Sequence, residues 1–543
     1  MTLTHSTWPA GTLDVLEPST VGSTLRASAA AAPSSIALVA RRAPGGDWHR
    51  WSFDRLLDEA EAAARALLGR FEPGERVAVW APNVAEFLLV QLAAGLAGLT
   101  LVPVPLGLRH RDLAHLLGHA GARGIFLVPE HRGMAMLRLV EELRPRLPLL
   151  REVVDLTDWP AFVSSSTGSS SLPSVDTRCT AQIQSTSGST GLPRGALLHH
   201  QGITNSARFL AHRMDLSPGD VWLNFMPLSY VAGSAIGAMA ALAATATQVL
   251  CDFDPATVLG LVEAERCSAM LGGATMYLRL LERSATTAAD LSSVRTLAAG
   301  GSVISPELAR RTEERFAARM VVVYGLTEAS GIAVSTDVGD PEPDRIRTIG
   351  TPLPHVEVRV TDPTSGQPLP VNEAGELCLR GYQVMHGYLD SPRATSEAID
   401  SDGWLHTGDL AAMDGGGRLR ITGRLKEIIN RGGRKIAPGE IEAVLQAHPA
   451  VAMAAAVGVP DERWGEEIAA FVTLRAGASA DEAQLADWCG TQLAPFKTPR
   501  QWVFVDELPL TSAGKVRKFI LHERLMHGRA VECGDGSSAG RQA

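Results

Sequence analysis

The stretch QSTSGSTGLPRGALLHH, residues 184–200, gathers Ser, Thr and Gly and then meets a basic residue and an apolar run. Apolar AQI precedes it and ALLHHQGITNSARFL follows, which predicts that the loop joins a strand to a helix. Small residues in such a loop expose backbone N–H groups, and hydroxyls and a helix N-terminus add to them, so the loop is suited to binding phosphate. Arg194 would add a full charge. The spacing is not that of a P-loop, and a solvated Gly/Ser turn is the alternative reading of the composition.

The chain around this loop alternates short apolar runs with helical patterns. RVAVWAPN (76–83) and GIFLVP (124–129) are typical of buried strands, and the apolar run VAEFLLVQLAAGLAGL (84–99) between them is long enough for a core helix. This alternation predicts parallel sheets covered by helices on both faces, with ligands at the carboxyl ends of the strands. We therefore predict a large N-terminal α/β domain.

Bulk composition narrows the class of protein. A length of 543 residues corresponds to three or four units of about 150 residues. The net charge of -9, without a dense Lys/Arg run, argues against nucleic acid or an anionic membrane as the main partner. Six scattered cysteines indicate neither a zinc site nor a disulfide framework. No leader or long apolar span is apparent, so we expect a cytoplasmic protein without a membrane span.

Further motifs follow the Gly/Ser/Thr loop in a fixed order. They are FMPLSYVAGSAIG (225–237), AAGGSV (298–303), VVVYGLTEAS (321–330), GELCLRGYQVMHGY (375–388), GWLHTGDL (403–410), TGRLKEIINRGGRKIAPGEIE (422–442) and LPLTSAGKVRK (508–518). Together with STSGSTGLPRG (185–195), this set resembles the adenylate-forming enzymes, the family of acyl-CoA synthetases, peptide-synthetase adenylation domains and firefly luciferase. So many motifs in the family's order make a chance match very improbable.

The resemblance implies a fold, a reaction and a set of ligands. The fold is a large N-terminal domain of βα-layered sheets (1–425) and a small mobile α+β domain (426–528) joined by a hinge at Lys426. Residues 529–543 are predicted to form a disordered tail. The reaction is attack of a carboxylate on the α-phosphate of ATP, giving acyl-AMP and pyrophosphate, followed by thioester formation. ATP, Mg2+ and coenzyme A are the cofactors implied.

The resemblance also assigns residues to ATP and Mg2+. The β- and γ-phosphates fall to Thr186, Ser187, Gly188, Ser189, Thr190 and Gly191, with Arg194 beside them. Nucleotide contacts are expected from Gly300, Gly301, Tyr324 and Gly325, with Tyr324 stacked on adenine. Asp409 would accept both ribose hydroxyls, which suits an acceptor-only carboxylate, and Arg424 would contact ribose or phosphate. Thr327 would contact the α-phosphate and Glu328 would bind Mg2+.

Three residues are assigned to the exchange between the two half-reactions. Lys515 resembles the lysine that bridges the carboxylate and the α-phosphate during adenylation. The small domain would then rotate at Lys426 and bring Gly433, in NRGGRKIAP, to the pantetheine tunnel. One site would thereby perform two chemistries.

Two positions depart from the family pattern. Arg194 stands where the phosphate loop usually carries Lys, so the charge is kept in a planar fork. Tyr230 stands where the acid motif usually has His. The candidate pocket residues are Tyr230, Gly233, Ser234, Gly273, Ala274, Gly301, Ser330 and Gly331, and most are small. They leave room for a medium-length acyl chain or an aryl acid, between which the sequence does not choose.

The sequence favours a CoA ligase of organic acids over several alternatives. Amino acids are disfavoured because the acid motif offers no Asp for an ammonium group, which is costly to bury unpaired. Transfer to an acyl carrier protein, and adenylation of another oxyanion such as nitrite, remain alternatives. A silent binding protein would have no physical need for Glu328, Asp409, Arg424 and Lys515 together. The oligomeric state is not predicted.

Overall fold

The structure is a computed structural model that describes residues 3–11, 14–165, 171–186, 194–302, 304–475, 477–510 and 516–532. The strands, in chain order, are β1 (Thr7–Trp8), β2 (Ile36–Arg41), β3 (Trp48–Ser52), β4 (Arg76–Trp80), β5 (Thr100–Pro103), β6 (Gly124–Leu127), β7 (Glu130–His131), β8 (Met134–Ala135), β9 (Glu152–Asp155), β10 (Thr180–Thr186), β11 (Arg194–His199), β12 (Val221–Asn224), β13 (Thr247–Leu250), β14 (Ala269–Gly272), β15 (Thr296–Ala299), β16 (Arg319–Tyr324), β17 (Val334–Ser335), β18 (Thr351–Pro352), β19 (Val356–Thr361), β20 (Ala374–Gly381), β21 (Leu405–Met413), β22 (Leu419–Arg424), β23 (Ile429–Arg431), β24 (Arg434–Ile436), β25 (Val451–Asp461), β26 (Gly465–Leu474) and β27 (Gln501–Phe504).

The α-helices are α1 (Val21–Ala31), α2 (Phe53–Leu68), α3 (Ala85–Ala97), α4 (His110–Ala120), α5 (Met136–Leu143), α6 (Trp159–Ser164), α7 (His200–Arg213), α8 (Ala238–Ala243), α9 (Pro255–Glu265), α10 (Ala274–Ser284), α11 (Pro306–Phe316), α12 (Glu342–Arg347), α13 (Pro392–Ala398), α14 (Pro438–Gln446), α15 (Glu482–Gln492) and α16 (Lys518–Glu532). A π-helical segment covers Ala232–Gly237, and short 3-10 turns cover Arg144–Arg146, Leu156–Asp158, Thr327–Ala329, Leu425–Glu427 and Pro495–Lys497.

Two mostly parallel sheets form the body of the large domain. One has the order β11-β10-β5-β4-β6-β9 and the other the order β18-β17-β16-β15-β14-β12-β13-β2-β3. Their central pairs, such as β4 with β5 and β15 with β16, are parallel, and the antiparallel pairs lie towards the edges. Every residue of α3 is buried, as expected for a helix packed in the core of an α/β domain. The predicted α/β class is confirmed.

The connection around the Gly/Ser/Thr loop differs from the prediction. β10 and β11 pair antiparallel, with Thr186 opposite Arg194, so the loop joins two strands of a hairpin and not a strand to a helix. α7 begins only at His200, one strand later, and its first turn is capped by the His199 side chain, which accepts from the Gly202 N–H at 3.0 Å. The apolar run after Arg194 is too short for its hydrophobic periodicity to distinguish a strand from the start of a helix.

A third sheet and a separate small sheet complete the chain. β1-β19-β20-β21-β22 are antiparallel neighbours, and β24-β23-β26-β25, with β27 beside β26, form the sheet of the small domain. Alternate residues of β25 and β26 enter two different apolar clusters, so both faces of the small sheet are covered. The predicted pairing of a large α/β domain with a small α+β domain is confirmed.

The C-terminal end of the chain also differs in part from the prediction. α16 continues to Glu532, past the predicted start of the disordered tail at Arg529, and residues 533–543 lie outside the described part of the chain. Among the helices that the structure describes, none has the length and apolar character needed to cross a bilayer.

Candidate active site

Four neighbouring parallel strands, β12, β14, β15 and β16, end at one edge of the larger sheet. The register places Gly272 opposite Ala299, and Ala299 opposite Val322, so the segments after these strands emerge side by side. Each of these segments contains predicted site residues: Tyr230 and Gly233 after β12, Gly273 and Ala274 after β14, Gly300 and Gly301 after β15, and Tyr324 to Gly331 at the end of β16. Ligands of open α/β sheets bind at this edge.

Asp409 is the buried centre of a polar group beside this edge. Its side chain accepts from the Tyr324 hydroxyl, Oη to Oδ2 at 2.7 Å, and from Arg424, Nε to Oδ1 at 2.6 Å. Asp409 and Arg424 face each other on β21 and β22, and Asp409 is only 5% exposed. The structure thus brings together three residues that the sequence assigns to the nucleoside.

The charges in this group support one another. Burial, together with the negative charge of Asp409, raises the pKa of Tyr324 well above its ordinary value. Burial acts to lower the pKa of Arg424, but the Asp409 carboxylate more than offsets that effect, and the pKa of Arg424 is raised. Near neutral pH the phenol therefore remains a donor and the guanidinium remains a cation.

Glu328 lies in a second polar group that joins two loops. Tyr388 Oη donates to Glu328 Oε1 at 2.7 Å, and the guanidinium carbon of Arg194 lies 5.4 Å from the centre of the Tyr388 ring. Burial, followed by the negative charge of Glu328, raises the pKa of Tyr388, so its hydroxyl stays protonated. The structure therefore connects the base of the Gly/Ser/Thr loop with the predicted Mg2+ ligand through Tyr388.

Tyr388 is a site residue that was not predicted from the sequence. It lies in the quoted motif GELCLRGYQVMHGY, but its contact with Glu328 spans 60 residues of chain and depends on tertiary folding. Presence in an ordered motif was the only signal that pointed to it.

Close contacts explain two of the glycines that the sequence predicts to lie near the nucleotide. A Cβ on Gly325 would lie 2.1 Å from the Gly331 carbonyl oxygen, and a Cβ on Gly300 would lie 2.4 Å from Val323 Cγ2. Any side chain at Gly325 would therefore push two backbone segments apart. Gly301, in contrast, has open space where a side chain would stand, two residues beyond the end of β15.

The predicted acid pocket divides into an open part and a buried part. Tyr230, Ala274 and Gly331 are partly exposed, whereas Gly233, Ser234, Gly273 and Ser330 are buried. The Ser234 hydroxyl contacts Gln184 Nε2 at 3.0 Å, and the Ser330 hydroxyl donates to the Gln383 carbonyl oxygen at 2.8 Å. Both hydroxyls thus serve internal hydrogen bonds.

The structure describes four of the remaining predicted residues, which are Thr186, Arg194, Thr327 and Gly433. Thr186 and Arg194 stand opposite each other at the base of the phosphate loop, and Ser187, Gly188, Ser189, Thr190, Gly191 and Lys515 lie outside the described residues. Gly433 occupies the turn between β23 and β24 with φ +78° and open space around its Cα. Thr327 lies in the same 3-10 turn as Glu328.

The residues present fit a nucleoside triphosphate with its magnesium ion. The Asp409 carboxylate could accept ribose hydroxyls, the Tyr324 ring could stack on the base, the Glu328 carboxylate could hold Mg2+, and Arg194 could pair with phosphate. Combined with a large α/β domain and a small α+β domain, these features define an adenylate-forming enzyme.

Comparisons with known proteins agree. The family described as AMP-binding enzyme matches residues 25–389, and the AMP-binding enzyme C-terminal domain matches residues 440–515. The chain belongs to this family. It is an ATP-dependent, AMP-forming acid–CoA ligase that adenylates an acid and then forms the CoA thioester.

Individual relatives and a solved structure cover most of the chain. The putative acyl-CoA synthetase YngI of Bacillus subtilis is 35% identical over 87% of this chain and 91% of its own length. The mitochondrial medium-chain acyl-CoA ligase ACSF2 of Macaca fascicularis is 32% identical over 93% and 87%. ATP-bound MatB from Rhodopseudomonas palustris superposes with a TM-score of 0.84 at 26% identity, covering 93% of this chain and 99% of that protein.

Proposed function

We propose that this ligase activates an apolar monocarboxylic acid of medium length. The observation that carries the proposal is the open part of the acid pocket, where the partly exposed residues Val231, Ala232, Ala274 and Gly331 are small or apolar. Apart from the Tyr230 hydroxyl at its edge, such a surface favours a hydrocarbon chain over a charged group. The similarity to a medium-chain acyl-CoA ligase supports the same substrate class.

Asp409 is the proposed ribose ligand. Tyr324 and Arg424 each donate to one of its oxygens, which fixes the carboxylate plane, and the unused lone pairs can accept the two ribose hydroxyls. The Tyr324 ring, held by its own hydroxyl, is then oriented at the end of β16 for stacking against the base.

Glu328 is the proposed Mg2+ ligand and Thr327 the proposed contact to the α-phosphate. Bound Mg2+ supplies neutralisation of phosphate charge during the attack of the carboxylate. Tyr388 holds one oxygen of Glu328 and leaves the other for the ion, while Arg194 adds positive charge where the phosphate loop ends. Thr186 and residues 187–191 complete the proposed phosphate site.

The proposed hinge at Lys426 is supported by the contacts on either side of it. Arg424 is held by Asp409 of the large domain, whereas Glu427 is held by Lys518 of the small domain, Oε2 to Nζ at 2.6 Å. Only Leu425 and Lys426 lie between these two anchors. A rotation that keeps both anchors would have to occur there, which also supports the proposed boundaries at 425 and 426.

Two parts of the small domain, the Lys515 segment and the Gly433 turn, are proposed to act one after the other. Lys515 would bridge the substrate carboxylate and the α-phosphate in adenylation, and the Gly433 turn would replace it for thioester formation. The open space around Gly433 is compatible with close approach of a pantetheine chain.

Tyr388→Phe should raise the concentration of free Mg2+ needed for half-maximal adenylation by about three- to tenfold, the scale of one ordinary intramolecular hydrogen bond of about 1 kcal/mol. The turnover number at saturating Mg2+ should change little, because the ring under Arg194 is retained. Adenylation rates measured against free Mg2+ test this. Tyr382→Phe, a buried tyrosine in the same segment, is the matched control, and an unchanged Mg2+ requirement in Tyr388→Phe would contradict the role of Tyr388.

Ala274→Phe should shorten the acids that the enzyme accepts. Each CH2 buried in the pocket contributes about 0.8 kcal/mol, so excluding two of them should lower kcat/KM for the longest substrates roughly tenfold. A series of straight-chain acids from four to twelve carbons, with CoA thioester as the measured product, tests this. Ala285→Phe, at the exposed C-terminal end of the same helix, is the control. An unaltered chain-length profile would remove Ala274 from the pocket.

A further inference from the structure

The segment of β21 that carries Asp409 is irregular. The pairing of β20 with β21 shifts from Glu376 opposite Leu410 to Cys378 opposite His406, so residues 407–409 bulge out opposite Leu377. Gly408 within the bulge has φ +68°, a left-handed conformation that most side chains avoid. On the β20 side, Asp409 is therefore presented by a bulge, although it pairs with Arg424 on the β22 side, and other contacts must hold the bulge against β20.

The buried side chain of Glu376 holds this bulge from behind. Its Oε1 accepts from the Gly408 N–H at 3.2 Å, and its Oε2 accepts from His406 Nδ1 at 2.9 Å. Glu376 is 8% exposed, so these bonds form away from bulk water, where they are stronger. The one carboxylate thus ties together the two residues that flank Thr407.

Thr407 closes the remaining gap between the strands. Its hydroxyl donates to the Leu377 carbonyl oxygen at 2.7 Å and accepts from the Asp409 N–H at 3.1 Å. The backbone of Asp409 is therefore linked, through Thr407, to the same part of β20 that carries Glu376. In a regular antiparallel pair the ladder itself would supply these bonds.

His406 is itself fixed on both sides. Its Nε2 lies 3.5 Å from Asp400 Oδ2, and Asp400 is held in turn by Arg359 at 3.0 Å. Hydrogen bonding to Cys378 and then to Glu376 raises the pKa of His406 to about 10. The imidazolium therefore lies between the carboxylates of Glu376 and Asp400 at the edge of the bulge.

We propose that Glu376 and His406 are positioning residues that set the backbone of the bulge so that the Asp409 carboxylate meets the ribose hydroxyls of ATP. This inference rests on the proposed role of Asp409. Tyr324 and Arg424 orient the carboxylate itself, whereas Glu376 and His406 determine where its Cα stands. A shift of the bulge would move both ribose contacts at once.

The test measures discrimination between ATP and 2′-deoxy-ATP or 3′-deoxy-ATP as the ratio of kcat/KM values. His406→Ala should lower this ratio at least about fivefold, through a raised KM for ATP with a nearly constant kcat, as expected for a lost binding geometry. His406→Asn places an amide donor near the position of Nδ1 and should restore the ratio. A purely structural role would lower the amount of active enzyme without changing the ratio.

Two further variants make the outcome decisive. Glu376→Asp keeps the charge but is too short to reach both Gly408 N and His406 Nδ1, so it too should lower the ratio even if His406→Ala does not fold. His110→Ala breaks another His–Glu pair, an exposed one with Glu142 at 3.1 Å, and should leave the ratio unchanged.

The outcomes separate the inference from the function on which it rests. If Asp409→Ala abolishes discrimination while His406→Ala and Glu376→Asp retain it, the positioning role is wrong and the role of Asp409 stands. If Asp409→Ala itself retains full discrimination, the proposed ribose contact is wrong. Loss of discrimination in all three variants, with recovery in His406→Asn, supports the inference.

Discussion

Replacing Lys515 with alanine is expected to slow acid-dependent release of pyrophosphate from ATP at least roughly a hundredfold, the scale of losing a preorganised charge at the reacting atoms. Transfer of a supplied acyl-adenylate to CoA should continue, because Lys515 is proposed to leave the site before that step. Leu510 and Val516 flank the segment that carries Lys515. They form an isolated antiparallel bridge on the small domain. Both ends of that segment therefore lie on the domain that is proposed to move.

Both half-reactions have to be measured on the same preparation. Arg517→Ala is the matched control, since Arg517 is a nearby cation that is exposed and has no proposed role. Equal losses in adenylation and in thioester formation would contradict an exchange of the two faces of the small domain. A loss confined to adenylation would support it.

Glu328→Gln is the second variant with a large expected effect. The amide keeps an oxygen that can accept from Tyr388, so the loop geometry should survive, but a neutral amide is a poorer Mg2+ ligand than a carboxylate. Loss of the charge interaction should raise the free-energy barrier to adenylation by several kcal/mol. The adenylation rate should therefore fall roughly 10²- to 10³-fold at a fixed Mg2+ concentration.

Titration of Mg2+ distinguishes this explanation from a general loss of structure. The Gln variant should need far more Mg2+ than the wild type, and more than Tyr388→Phe, which removes only a supporting hydrogen bond. Glu314→Gln, an exposed glutamate on α11, serves as the control. An unchanged Mg2+ dependence with a reduced rate would place the ion elsewhere.

The α/β class could be predicted because buried parallel strands leave a strong local pattern. RVAVW forms β4 and the following apolar run forms α3, as the length of that run and Pro82 after the strand indicate. The order of the motifs along the chain indicates the family without any structural information.

The β10–β11 hairpin could not be predicted in the same way. The residues 187–193 between the two strands contain the Gly, Ser and Thr typical of many kinds of loop, and a six-residue apolar strand has no distinctive period. The pairing of Thr186 with Arg194 depends on tertiary context. A helix N-terminus therefore does not follow the loop directly, and Arg194 gains importance as a source of charge.

The supporting residues of the site were also beyond local patterns. Tyr388 reaches Glu328 across 60 residues, and His406 reaches Glu376 across 30, so neither contact has a local signal. Ser234 and Ser330 show the opposite case: their small size suggested a pocket, yet their hydroxyls serve internal hydrogen bonds. Sequence motifs thus identified which segments meet, and the structure adds the directions of the side chains.

The central claim, that this chain adenylates an apolar carboxylic acid and transfers it to CoA, is tested most directly by measuring pyrophosphate release from Mg-ATP. The panel should contain straight-chain fatty, aryl, amino and inorganic acids, including nitrite, each with and without CoA, with the acyl product identified by mass. We expect release that depends on a medium-length fatty acid and yields its CoA thioester. Release with nitrite alone, or an acyl group that passes to a carrier-protein thiol but never to CoA, would contradict the account.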